Sequence, residues 1–202
     1  MIFKRRIVIR FGQLIRKAEE AIIKEYLKGE VEDEPSITDR FMERIKVTLE
    51  NYSGQFNGKI KFKVRTLRDR GPRSPESRYG ADVCGVLMAD LKGYTLSKGL
   101  LIQAKRETNG IKVISNTPPI EVLFTSRSRL EDLKKQVDKM LEITPDSFVL
   151  IYSDRGFITV PASSVKGLTD VGSLYGKQVS SFFKEFLLSF VGDPNLSATD
   201  DR

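Results

Sequence analysis

The chain has 202 residues, 40% of them hydrophobic and 30% charged, with a formal net charge of +7. That length can bury one sizeable core, the composition is ordinary for a soluble globular protein, and a cytoplasmic location is expected. One cysteine (Cys84) and no histidine exclude a structural zinc site and any mechanism built on a histidine base. No apolar run approaches the ~20 residues that a bilayer-spanning helix needs, so no membrane partner is expected. The excess of cations favours polyanionic partners, nucleic acid foremost among them.

The N-terminal run MIFKRRIVIRFG begins like a signal peptide, but Arg10 interrupts a very short apolar stretch and no small-residue cleavage site follows. Residues 13–28 then set Leu14, Ile15, Ala18, Ile22, Ile23 and Leu27 on one helical face. After an acidic turn, Ser36 or Thr38 can cap a second helix running to about residue 50, with Phe41, Met42, Ile45 and Leu49 inward. KIKFKVRT (59–66) alternates as a strand with Ile60, Phe62 and Val64 facing a core. Its other face, Lys59, Lys61, Lys63 and Arg65, reads equally as edge protection or as a surface that follows phosphates. An Arg/Pro/Ser-rich loop leads to two apolar strands, 81–88 and 99–106. Short extended segments are expected at 111–115 and 120–124, a third helix at 128–142, and a hairpin of SFVLIYS (147–153) with FITV (157–160). Residues 178–191 form a last amphipathic helix that carries Phe182, Phe183, Phe186 and Phe190, and a polar, disordered tail is expected over 192–202. The sum is an α/β fold with a mixed central sheet flanked by helices. A basic segment and helix (1–33) packs on the main domain (34–191).

Three polar residues stand out in the two apolar strands: Asp82, Gln103 and Lys105. Burying an acid, an amide or an ammonium costs several kcal/mol unless it is paired or bound, so none is there for packing. Gln103 and Lys105 share one strand face because side chains alternate with period two. An acid opening one strand and Gln-x-Lys on another suit metal-dependent phosphodiester hydrolysis. Mg²⁺, with Mn²⁺ as a substitute, takes a few oxygen ligands: the Asp82 carboxylate, the Gln103 side-chain carbonyl and the Ala104 backbone carbonyl. Lys105 would orient the attacking water or hold the transition-state phosphate. Arg70, Arg73, Arg78 and Arg106, with Arg68 and Lys92, would contact the nucleic-acid backbone.

Gly80-Ala81-Asp82, an intervening strand and Gln103-Ala104-Lys105-Arg106 resemble the core of the PD-(D/E)XK nucleases, the restriction-endonuclease-like superfamily. The variant is the one seen in Mrr-type enzymes, in which Gln replaces the second acid. The resemblance implies an αβββαβ core over roughly residues 34–162, and a DNA-cutting endonuclease in bacterial or phage defence or DNA processing, with a homodimer as one form. It also implies a carboxylate from the opening of the first core helix, Glu34, and polar residues Gln136 and Lys139 facing the site from the second. Glu43 and Glu76 are further candidates for the missing acid. Two other functions compete: a nucleic-acid binder on a degenerate nuclease fold, and a basic protein-interaction module.

Overall fold

The computed structural model describes residues 5–31, 33–52, 58–67, 78–91, 94–115 and 117–196. Helix α1 (Arg5–Leu27) begins well before the predicted start, because Ile7, Val8 and Phe11 extend the stripe of Leu14, Ile15, Ala18 and Ile22 toward the N-terminus. Leu27, expected inside, is 66% exposed at its far end. Helix α2 (Glu34–Tyr52) starts one residue after Asp33, whose carboxylate accepts Ser36 N at 2.8 Å. That cap replaces the expected Ser36 or Thr38.

Eight strands follow: β1 (Gly58–Thr66), β2 (Val83–Leu91), β3 (Tyr94–Arg106), β4 (Ile111–Val113), β5 (Ile120–Phe124), β6 (Ser147–Ser153), β7 (Gly156–Pro161) and β8 (Gly172–Gln178). They form one mixed sheet in the order β1-β2-β3-β6-β7-β8-β5-β4, antiparallel throughout except where β3 meets β6. A parallel pair needs a crossover. Here the connection carries β4, β5 and helix α3 (Arg127–Ile143). Short helix α4 (Ala162–Gly167) and helix α5 (Val179–Leu187) complete the fold.

The sheet separates two cores. Ile60, Phe62, Leu87, Ile102 and Ala104 meet α1, α2 and α5 on one face. Val149, Ile151, Ile158 and Val160 meet α3 and α4 on the other. Strand β6 is covered on both sides and is buried at every position, as a continuous apolar run demands.

The C-terminal expectation needs two corrections. Helix α5 stops at Leu187, Ser189 turns with φ 63°, and Phe190 is left 76% exposed. The segment from Gly192, read as the start of a disordered tail, is ordered through Leu196. Pairing of β3 with β6 begins only at Leu101, so Gly99 has an open backbone edge there. Asp193 fills it, exchanging two hydrogen bonds with Gly99 at 2.8 and 2.9 Å. Among the described residues, no helix is long and apolar enough to cross a membrane.

Candidate active site

The approach to Asp82 is fixed by Gly80, which has φ +70°. A Cβ there would sit 2.1 Å from the Gln136 carbonyl oxygen on α3, so only glycine lets the chain pass. Asp82 then lies one residue before β2, with its backbone strapped on both sides. Its N–H donates to Ile102 O at 2.9 Å, and its carbonyl accepts Leu67 N at 2.6 Å. The side chain turns to β3, where Oδ2 accepts Ala104 N at 2.6 Å and Gln103 Nε2 at 2.5 Å. Both are charge-assisted bonds of the stronger kind.

Gln103 is fully buried. Its amide nitrogen is also 3.3 Å from Ala104 O, so one N–H₂ group stands between the Asp82 carboxylate and a backbone carbonyl. Its oxygen, Oε1, is buried and has no hydrogen-bond partner among the described residues. Such an orphan costs about 1–3 kcal/mol, a sizeable fraction of a domain's net stability.

Lys105 projects from the same strand face two residues on. At the end of β3 its Nζ lies 3.6 Å from Glu34 Oε1, and Arg106 N donates to Glu34 Oε2 at 2.7 Å. The Lys105 and Glu34 side chains are 24% and 30% exposed. A half-solvated pair of this kind contributes about 0–1 kcal/mol, so it is not what holds the fold.

The first turn of α2, which carries Glu34, is tied to β6 by a relay that sequence reasoning missed. Tyr152 on β6 is buried, and its hydroxyl donates to Thr38 Oγ1 at 3.0 Å. Thr38 in turn donates to Glu34 O at 2.8 Å. Burial, with the nearby Asp82 and Glu34 charges, pushes the Tyr152 phenol well above its ordinary pKa and keeps it a donor. The available signal was the tyrosine inside SFVLIYS, because a buried phenol usually needs a partner.

The other expected residues are scattered. Gln136 touches the site through its backbone, under Gly80, and its side chain makes no hydrogen bond among the described residues. Lys139 is exposed. Glu43 pairs with Lys46 at 3.4 Å and supplies no acid to the site. Arg106 lines a small cavity with Tyr26, Ile37 and Tyr152. Arg78 is exposed, with its guanidinium 5.2 Å from the Tyr79 ring centre. Arg68, Arg70, Arg73, Glu76 and Lys92 lie outside the described residues.

Ala104 N and Gln103 Nε2 face Asp82 Oδ2 here, so the hard oxygens that could serve a metal are the Asp82 carboxylate, Ala104 O and, once the amide turns, Gln103 Oε1. That set suits Mg²⁺ or Mn²⁺ better than a softer metal. Gln103 Oε1, buried and unpartnered, fits the same role. Among the described residues no group of three acids, cysteines or histidines gathers to hold a metal. No protein-family model matches the chain, and no curated protein matches its sequence.

Proposed function

We propose that this chain is a metal-dependent nuclease with a restriction-endonuclease-like core. The observation that carries the reading is the buried Gln103, whose Nε2 bonds Asp82 while its Oε1 has no partner among the described residues, two residues from Lys105 on one face of β3. A purely structural amide in that strand would have both ends satisfied. The order α2-β1-β2-β3-α3-β6, with β4 and β5 inserted between β3 and α3 and with β3 and β6 parallel and adjacent, supports the same reading.

Asp82, Gln103 Oε1 and the Ala104 carbonyl would hold the ion, after the Gln103 amide gives up its N–H contact with Asp82. When bound, Mg²⁺ supplies charge neutralisation at the phosphate and a water of lowered pKa. Lys105 Nζ donates to a non-bridging phosphate oxygen or to the attacking water, and Glu34 holds that ammonium in place. The resemblance supports DNA as the substrate, a setting in bacterial or phage defence or DNA processing, and a homodimer for cutting two strands.

One observation favours a second reading, a nucleic-acid binder without turnover: the Gln103 amide already satisfies Asp82 Oδ2. Cleavage of labelled duplex DNA, single-stranded DNA and RNA with Mg²⁺ or Mn²⁺ separates the two. The nuclease cuts, and Lys105→Ala cuts at least ~10²-fold more slowly while keeping its fold. Absence of metal-dependent cutting by folded wild type, with binding intact, moves the assignment to the binder.

A further inference from the structure

Strand β1 ends the sheet, and its two faces have opposite chemistry. Ile60 and Phe62 are buried in the core against α2, whereas Lys59, Lys61, Lys63 and Arg65 are all exposed. None of the four makes a salt bridge among the described residues, although Asp90 lies directly opposite Lys59 on β2. Strand register fixes which surface they share. Arg65 lies opposite Cys84, and Cys84 opposite Leu101; Lys63 lies opposite Val86, and Val86 opposite Gly99. Leu101 alternates onto the face of Gln103 and Lys105, so the cations and the Asp82 site occupy the same side of the sheet.

We infer that this stripe binds the phosphate backbone of a nucleic-acid duplex and leads it to the Asp82–Gln103 site. Four cations at every second residue span about 20 Å, and one strand of a DNA duplex carries a charge per ~3.4 Å of axis. The stripe therefore runs past about six phosphates of a single strand. Arg65, two strands across from Leu101, stands roughly 10–12 Å from Gln103 by sheet spacing. The site end of the stripe is thus the end nearest the chemistry. Edge protection needs only an occasional charge. It gives no reason for an unbroken cationic row with every alternate residue in the core.

The rows also indicate duplex over single strand. Asp90, Thr95, Met88, Ser97, Val86, Gly99, Cys84 and Leu101 flank the cations and none is aromatic; one ring, Tyr79, packs with Leu101 and Cys84 at the site end. Single strands are held by bases stacked on aromatic rings. A backbone contact of this type reads no base sequence.

The inference rests on the nucleic-acid part of the proposed function and not on turnover. It is tested by fluorescence anisotropy of labelled duplex DNA, duplex RNA and single-stranded DNA over a range of salt, in chelator so that nothing is cut. The triple variant Lys61→Gln/Lys63→Gln/Arg65→Gln should lower the slope of log affinity against log salt by about three, about one per cation. A control of equal charge loss elsewhere, Lys17→Gln/Lys112→Gln/Lys135→Gln, should keep the wild-type slope, as should Lys61→Arg/Lys63→Arg. The tighter duplex names the natural backbone. Equal slopes in wild type and stripe variant, equal losses in stripe and control variants, or tighter binding of single strands would overturn the inference. Wild type that never cuts but loses slope in the stripe variant would leave the stripe standing and remove only catalysis.

Discussion

Strand β3 buries a polar side chain near each end, and the two are treated differently. Lys98 is 2% exposed, yet its Nζ donates to Val191 O at 2.6 Å and lies 4.8 Å from the Phe186 ring centre. Gln103 is fully buried with one end of its amide bonded and the other unpartnered among the described residues. The first is a fastener: it ties the C-terminal segment onto β3 beside the Gly99–Asp193 bridge. The second keeps one unmet polar atom at a cost in stability, and in the proposed function that atom is a metal ligand. Buried polarity that is fully met serves the fold; an unmet buried atom is the one that calls for another explanation.

Variants at the two positions should diverge. Burial pulls the Lys98 pKa down to about 8, only partly opposed by Asp146. A lysine whose folded pKa is lowered carries its penalty in full below that pKa. The penalty is relieved as pH rises toward the unfolded value near 10.5. Relative to Lys98→Met, wild type should therefore gain up to ~3 kcal/mol between about pH 8 and 10.5, followed by urea unfolding across pH. A flat difference would mean that Lys98 is solvated and fastens nothing.

Gln103→Met should change stability by under ~1 kcal/mol, because it removes an orphan oxygen together with one bond to Asp82. Asp82 Oδ2 keeps Ala104 N. A loss of several kcal/mol would make Gln103 another fastener and erase the distinction. Tyr152→Phe, which removes the donor to Thr38, should cost about 1 kcal/mol by thermal unfolding. It should also lower the cleavage rate at saturating substrate without changing duplex binding, since the relay positions Glu34 and Lys105. Equal losses in rate and binding would contradict a positioning role.

Much of this was legible in the sequence, for physical reasons. Strand 59–66 and the helices beginning near residues 34 and 127 announce themselves by uninterrupted periodicity, and strand 147–153 by its unbroken apolar run. Asp82, Gln103 and Lys105 were conspicuous because polar groups interrupt apolar runs. Helix α4 is only six residues long, too short for a helical period to register. Strand β8 alternates half-buried and exposed residues, with glycine at 172 and 176, so it reads as a loop. Tyr152 and Thr38 were hidden because an aromatic among aliphatics reads as core, and only the fold brings α2 onto β6. Lys98 was hidden in the same way, since its hydrogen-bond partner Val191 lies more than ninety residues away in the C-terminal segment. Glu34 came into view only through the family resemblance, because an acid in the first turn is ordinary for any helix.

The most direct test is thermal unfolding of wild type and Gln103→Met over a titration of Mg²⁺ or Mn²⁺, without nucleic acid. A ligand that binds only the folded state raises the midpoint as its concentration passes its Kd. The expected result is a concentration-dependent rise in wild type that Gln103→Met abolishes or moves to much higher metal. An identical rise in both proteins, or none in wild type at millimolar metal, would contradict a metal site built on Gln103.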